Sequence, residues 1–273
     1  MTRRSSDKGP TKAPRRAVRD EEHLPFEITA GDAATRDLKT SEAVARDIVH
    51  DIVMGLRQPG DRLPSEAAML KLYRVSRQSL REGLRLLEVQ GIITLKRGPG
   101  GGPVVGQLDS ANLGRTSTLY YHLAGATYDE LLEAWVVSES LLAGRAAGNP
   151  DRDAVRKAME PFMDPASVEL GAGVVTALDL ARFHAVTASL TRNRVLELNL
   201  QSVGRIVLHH SMMAADARTP EFEIVEDHVS IAAAVASGYV RKSRALMEDH
   251  IIRMGEYYRT RVRTKGDELI DWR

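Results

Sequence analysis

The sequence contains no cysteine. Disulfides and thiolate metal centres are therefore excluded, any bound metal would have to rest on imidazole and carboxylate groups, and nothing points to an oxidising compartment. No apolar run approaches the eighteen or so residues that a bilayer-spanning helix needs. The arginine-rich start is followed by no hydrophobic segment of a secretory signal, so the expectation is a cytoplasmic protein with no membrane partner. Aromatic residues are scarce, 5% of 273, while Ala and Leu are abundant, which favours helix over sheet. A charge of one sign is lacking too, since 38 Lys and Arg face 37 Asp and Glu. The distribution is uneven, however. Residues 1–107 hold 19 Lys and Arg against 14 Asp and Glu, a surplus of +5, and the remainder holds 19 against 23, or −4. A basic first part and an acidic second part fit polyanion binding by the one and a different task for the other. There is no HExxH pattern, which weakens a reading as a metal-dependent hydrolase.

What is present is concentrated between Pro64 and Val105. Ser65 can cap a short helix with Met69, Leu70 and Tyr73 on its apolar side. Arg74-Val75-Ser76 reads as a turn with a second cap, and Arg77 to Gln90 carries Leu80, Leu84 and Leu87 at helical spacing. Arg77, Arg81 and Arg85 form a basic stripe beside those leucines, and Gln78 and Ser79 add uncharged donors and acceptors in the first turn. Ile92 to Leu95 and Pro103 to Val105 are β-prone runs around a glycine-rich tip bearing Lys96 and Arg97, the pattern of a hairpin. Two helices, a tight turn and a hairpin make a winged helix-turn-helix, which presents one helix to the DNA major groove. A preceding helix is expected over Ser41 to Leu56, with Val44, Ile48, Ile52, Val53 and Leu56 on its core face, and residues 1–37 read as a disordered basic tail.

The segments LPSE (Leu63–Glu66), VSRQSLREGLRLLE (Val75–Glu88) and GIITLKRGPGGGPVV (Gly91–Val105) resemble the amino-terminal domain of GntR transcription regulators. Carried over by position, the resemblance implies DNA contacts at Arg77, Gln78, Ser79, Arg81, Arg97 and Gly98. The arginine that usually follows LPSE is replaced by Ala67, which bears on half-site preference.

Beyond a polar stretch from Gly106 to Gly114, the chain reads as helices around Leu113 to Ala124 and over Tyr128–Ala147, Arg152–Met163, Val174–Leu190, Val195–Met213, Phe222–Ser237 and Tyr239–Arg263. The fold class expected is thus mainly α: a winged domain over 38–107 and an antiparallel all-helical bundle for effector binding and dimerisation over 108–273. ELLEAWVVSESLLAGRAA (Glu130–Ala147), RFHAVTASLTRN (Arg182–Asn193), HVSIAAAVASG (His228–Gly238) and ALMEDHI (Ala245–Ile251) resemble the FCD effector domain of the FadR subgroup.

His184, His228 and His250 lie on or beside apolar stripes of three helices, so three imidazoles are expected to converge on one interior cavity and to suit a divalent ion such as zinc or nickel. In the metal-binding members resembled, a fourth ligand is an aspartate four residues before the first histidine. Here that place is Leu180, and Asp179 lies about 140° around an ideal helix from His184, facing away unless a π-bulge intervenes. Trp135 stands where many relatives carry an arginine for a carboxylate effector, which shifts the expected preference towards a larger or less acidic molecule. Trp135, Glu139 and Leu180 are the effector-pocket candidates, for a ligand such as a carboxylate or acyl compound. His23, His50, His122, His209 and His210 show no partner pattern.

The reading is a homodimeric regulator, a repressor rather than an enzyme, that binds a palindromic operator in double-stranded DNA under the control of a small-molecule effector. The rivals are a metal-dependent enzyme with an incidental winged domain and a ligand-free architectural DNA-binding protein.

Overall fold

The computed structural model describes residues 40–98, 101–107, 109–164, 177–213, 221–261 and 266–271. The tail expected over residues 1–37, Pro99 and Gly100 of the wing tip, and the break at 171–173 lie outside these residues.

The first part comprises α1 (Thr40–Met54), α2 (Glu66–Tyr73), α3 (Arg77–Val89) and an antiparallel hairpin of β1 (Ile93–Lys96) and β2 (Gly102–Val105). Both anticipated caps are present: the Ser65 hydroxyl accepts from the Ala68 amide at 3.3 Å, and the Ser76 hydroxyl accepts from Ser79 at 3.0 Å. Each satisfies a first-turn N–H that the helix cannot pair itself. Between them Arg74 turns the chain in the left-handed region at φ 54°. The strand register pairs Ile93 with Val105 and Lys96 with Gly102, and Arg62 bridges to Val104, tying the segment before α2 to the wing.

Val44, Ile48, Ile52, Met69, Leu80, Leu84, Leu87, Ile93 and Val105 form a core of their own. α1 crosses α3 at Gly83, where a Cβ would stand 2.7 Å from Val44 Cγ1 and 2.9 Å from the Ser41 carbonyl. Any larger residue there would push the two helices apart. Tyr73 donates its hydroxyl to Asp51 at 2.8 Å, joining α2 to α1; burial and this carboxylate raise the phenol above its ordinary range. Two residues expected in the α1 core face are outside it. Val53 is 62% and Leu56 80% exposed, because Val53 falls one step past the Val44–Ile48–Ile52 stripe and Leu56 lies beyond the helix at φ 48°.

The second part consists of α4 (Ser110–Ala124), α5 (Tyr128–Ala147), α6 (Arg152–Met159), α7 (Ala177–Ser189), α8 (Arg194–Met213), α9 (Glu221–Ala236) and α10 (Val240–Arg261). α4 starts at Ser110, earlier than the expected Leu113, because Asp109 caps it by accepting from the Ala111 amide at 2.9 Å. The helix expected to reach Met163 stops at Met159 and tightens into a 3-10 turn over Glu160–Phe162. Pro161 is the cause, since it cannot donate to the preceding turn and its ring crowds that turn's carbonyl.

α5 is the axis of the bundle and packs against α7, α8, α9 and α10. A reciprocal capping box of Thr127 and Glu130 fixes its start. Its small residues Ala143, Gly144, Ala146 and Ala147 bring α10 close; a Cβ on Gly144 would stand 2.5 Å from Arg244 Cγ. Arg152 closes two helix ends at once, donating to the carbonyls of Ala147 at the end of α5 and Asn149 just beyond it, and of Val235 and Ala236 at the end of α9, at 2.8 to 3.1 Å. Residues 266–271 return to the start of α5, where Ile270 is 1% exposed and its amide donates to the Ala126 carbonyl at 3.0 Å. Phe183, Leu142, Met159, Ile231, Met247 and Ile251 are fully buried. Each such side chain contributes roughly 1.5–3 kcal/mol relative to exposure.

Candidate functional sites: a polar helix face and a histidine-lined cavity

α3 is sharply two-sided. Leu80, Gly83, Leu84 and Leu87 are buried, whereas Arg77, Gln78, Arg81 and Arg85 are exposed and Ser79 is half-buried. Within its first turn the Ser79 hydroxyl lies 2.9 Å from that of Ser76. Arg77 makes no ion pair or hydrogen bond among the described residues, so its guanidinium stands free at the start of the helix. Arg81 is held differently: its Nε donates to Glu66 Oε1 at 2.9 Å and its Nη2 to Glu66 Oε2 at 3.5 Å, which aligns the guanidinium against α2 and leaves Nη1 without a partner among the described residues. Arg85 is paired with Glu88. Arg97 and Gly98 are exposed where the chain leaves β1, and Gly98 takes φ +95°, a conformation that strains any L side chain.

In the helical part, α7, α9 and α10 bring His184, His228 and His250 together, with one ring nitrogen of each within 4.8 Å of the others. His228 and His250 are 5% and 1% exposed, and their Nε2 atoms lie 3.3 Å apart. That separation is the donor–donor edge of a tetrahedron around an ion with bonds of about 2.0–2.1 Å. The two outer imidazoles are oriented from behind. His184 Nδ1 lies 2.9 Å from Glu139 Oε2, and His250 Nδ1 lies 2.9 Å from Asp227 Oδ2. Each carboxylate selects the tautomer that carries its proton on Nδ1, so Nε2 turns a lone pair towards the centre.

Burial pushes His228 well below the ordinary imidazole value, and the other two rings add to this. His250 is lowered for the same first reason, although Asp227 opposes the shift. Both are therefore neutral near pH 7, the form that binds a metal ion. Burial works against the Asp227 carboxylate, but hydrogen bonds from His250 and Arg253 hold it below its ordinary value. The residues present fit a three-imidazole site for a divalent ion.

The cluster opens into a cavity of about 80 Å³ lined by Trp135, Glu139 and the three histidines, and by Gln201, Gly204, Arg205, Met254 and Tyr258 among others. At roughly 10–15 Å³ per water-sized body, this is room for a compact organic molecule rather than a long chain. Trp135 and Glu139 sit in the wall of this cavity. Leu180 and Asp179 fall in the first turn of α7, and their side chains lie outside the described residues.

Residues 40–101 match the family "Bacterial regulatory proteins, gntR family", and residues 130–253 match the FCD domain. The chain is 24% identical over 202 residues to the HTH-type transcriptional regulator LutR of Bacillus subtilis, covering 72% of this chain and 91% of the relative. It is 28% identical over 230 residues to the Uxu operon transcriptional regulator of Escherichia coli, covering 80% and 85%. Among solved structures, a GntR protein of Streptococcus agalactiae shares the fold with a TM-score of 0.55 at 19% identity, over 79% of this chain and 99% of that one. The chain belongs to the GntR family. It is a transcription regulator with a winged helix-turn-helix and an FCD effector domain.

Several residues of this GntR regulator's cavity are not evident from its sequence. Asp227 immediately precedes His228, yet it serves His250 on another helix, a pairing that no local spacing reveals. Gln201 and Arg205 look like ordinary polar positions on an amphipathic helix, although their i, i+4 spacing across Gly204 could have marked a shared face. His122 and His210, which showed no partner pattern, do have partners: His122 Nδ1 lies 2.7 Å from the Ile270 carbonyl, and His210 Nδ1 lies 2.9 Å from the Tyr128 hydroxyl.

Proposed function

We propose that this GntR regulator, of the FadR subgroup, is a homodimeric cytoplasmic repressor. In this reading it grips a palindromic operator with paired α3 helices and releases it when a small-molecule effector fills the histidine-lined cavity. The observation that carries the reading is the two-sidedness of α3: its leucines are committed to the core, while Arg77 and Gln78 stand free at its leading end. A helix so presented fits the major groove, where an arginine can meet guanine O6 and N7 together. Arg77, Gln78, Ser79 and Arg81 are assigned to base edges and nearby phosphates, and Arg97 and Gly98 to the backbone or minor groove beside them. One such helix reads few base pairs, so two-fold pairing supplies the discrimination that an operator requires.

His184, His228 and His250 are the residues that would hold zinc or nickel. When bound, the ion would offer Lewis-acid positions to an oxygen ligand. Glu139 and Asp227 keep their imidazoles oriented for it, and Trp135 and Met254 exclude water from the centre. Control follows if the effector-filled cavity is more stable in an arrangement of the dimer whose α3 helices no longer match the operator spacing.

The test is selection of bound duplexes from a random pool at fixed salt, followed by affinity measurements across a salt series. An inverted repeat selected by the parent protein and lost in Arg77→Ala supports the reading. Binding without sequence preference overturns it in favour of an architectural role.

A further inference from the structure

The hairpin has two faces. Ile93 and Val105 pair across it and belong to the core of the winged part, with Leu63 and Leu95 packed against that core. Successive side chains of a strand alternate between faces, so Thr94, Lys96, Gly102 and Val104 share the opposite face. Arg62 bridges to Val104 and therefore lies on that outer face too. Val104 is 5% exposed without belonging to the core behind the hairpin.

Arg62 and Lys96 thus stand on opposite sides of β2. Strands lie about 4.8 Å apart and rise about 3.3 Å per residue, which puts the two Cα atoms roughly 12 Å from one another. Two long cationic side chains can meet across that gap, over Gly102. Here there is a groove of about 220 Å³, floored by Val104 and bordered by Arg62, Ser65, Lys96, Gly101 and Gly102. No Asp or Glu is among its described lining residues. Arg62 and Lys96 are exposed, and the Lys96 side chain makes no ion pair or hydrogen bond among the described residues. Gly102 takes φ +139°, and nothing stands within 4 Å of the place where its Cβ would be. A groove that gathers two cations, is lined by no carboxylate and bares its backbone at a glycine suits a bulky polyanion.

Its position says which one. Ser65 on its rim caps α2, and the next residue, Glu66, holds Arg81 of α3 at 2.9 Å. The groove therefore adjoins the polar face of α3 on one side and, through Lys96, the exposed Arg97 on the other.

We propose that this groove is a further grip on the DNA backbone, in which Arg62 and Lys96 hold phosphates of the same duplex that α3 reads. Such contacts carry no sequence information; they fix the register and orientation of α3 in the groove it enters. This rests on the regulator reading above and adds two backbone contacts to those assigned to Arg97 and Gly98.

The experiment measures affinity of the full chain for its selected operator and for a scrambled duplex of equal length, from about 50 to 200 mM potassium chloride. Each phosphate contact contributes about 0.9 to the slope of log affinity against log salt. Arg62→Gln and Lys96→Gln should each lower that slope by about 0.9 on both duplexes, and the double variant by about 1.8. The ratio of operator to scrambled affinity should stay within about twofold of the parent's, since no base contact is lost. Arg62→Lys keeps the charge and should keep the slope, which separates phosphate binding from a structural role of the guanidinium. Lys157→Gln, at an exposed position on α6, should leave the slope unchanged and so controls for net charge. Circular dichroism and melting temperature equal to the parent's establish that each variant folds. A double variant with the parent's slope, a fall confined to the operator, or the same fall in Arg62→Lys or Lys157→Gln would each overturn the proposal. Equal parental affinity for both duplexes, with the slope still falling in the variants, would count against the regulator reading and leave the groove standing. Operator preference beside unchanged slopes would count against the groove alone.

Discussion

Asp227 touches no ligand in the proposed metal site, yet its replacement should loosen the ion by an amount that depends on what replaces it. Its Oδ2 accepts from His250 Nδ1 at 2.9 Å, and that ring is 1% exposed. In Asp227→Asn the amide oxygen can still accept the Nδ1 proton, so the tautomer that aims Nε2 inward survives and only the charge assistance is lost. Zinc affinity should then fall about tenfold, the low end for a carboxylate behind a ligating imidazole and worth about 1.4 kcal/mol. In Asp227→Ala the buried N–H has no acceptor and the ring is free to change tautomer or rotate. The loss should approach a hundredfold, about 2.7 kcal/mol. The other partner, Arg253, has a side chain that is 51% exposed and returns to water at little cost. Competition against a chromophoric chelator near neutral pH measures both losses, with Asp249→Asn, an exposed acid on the same helix as His250, as the control. Affinity equal to the parent's in both Asp227 variants, or an equal fall in the control, would refute the orienting role.

Other outcomes follow from the same structure. Arg77→Ala should cost about 1–3 kcal/mol of operator binding while leaving non-specific binding nearly unchanged; a uniform loss on all duplexes in a salt-controlled assay would make it a phosphate contact. Glu66→Gln should weaken specific binding less, by up to about 1 kcal/mol, since the exposed Glu66–Arg81 pair only aligns the guanidinium. Arg152→Met should destabilise the helical part by about 2–4 kcal/mol in urea melts, because four carbonyls at two helix ends lose their charged donor. In chelator, stability should fall on acidification from about pH 7.5 to 5. Burial holds His210, His228 and His250 below their ordinary value of 6.5, so between their folded values and 6.5 the unfolded chain binds more protons. Their contribution is complete above 6.5 and lost below it, and a flat melting temperature across this range would contradict the assignment.

The elements were legible wherever a local rule acts alone. Ser65 and Ser76 cap as their chemistry dictates, the leucines of α3 are buried at their helical spacing, and α5 runs from Tyr128 to Ala147 as its periodicity predicts. The three histidines were legible as a set because each falls on the apolar side of its own helix and all such sides share one interior. What was hidden depends on relations between elements. Val53 reads as core only if α1 is taken to use a wider face than α3 and the hairpin cover. The early stop at Met159 depends on one proline outweighing a favourable apolar pattern. His122 and Ile270 are 148 residues apart, and no periodicity links them. Arg205 is ordinary by spacing; only the packing of α8 against α5 puts it in the wall of the same cavity as Trp135.

The central claim is that occupancy of the helical cavity governs how firmly α3 is held to DNA. It is tested most directly by operator affinity at one salt concentration, without ligand and with a small molecule that calorimetry shows to saturate the cavity. The account predicts operator binding at least about tenfold weaker with the cavity filled, a coupling of about 1.4 kcal/mol. Unchanged operator affinity with the cavity demonstrably occupied would contradict it.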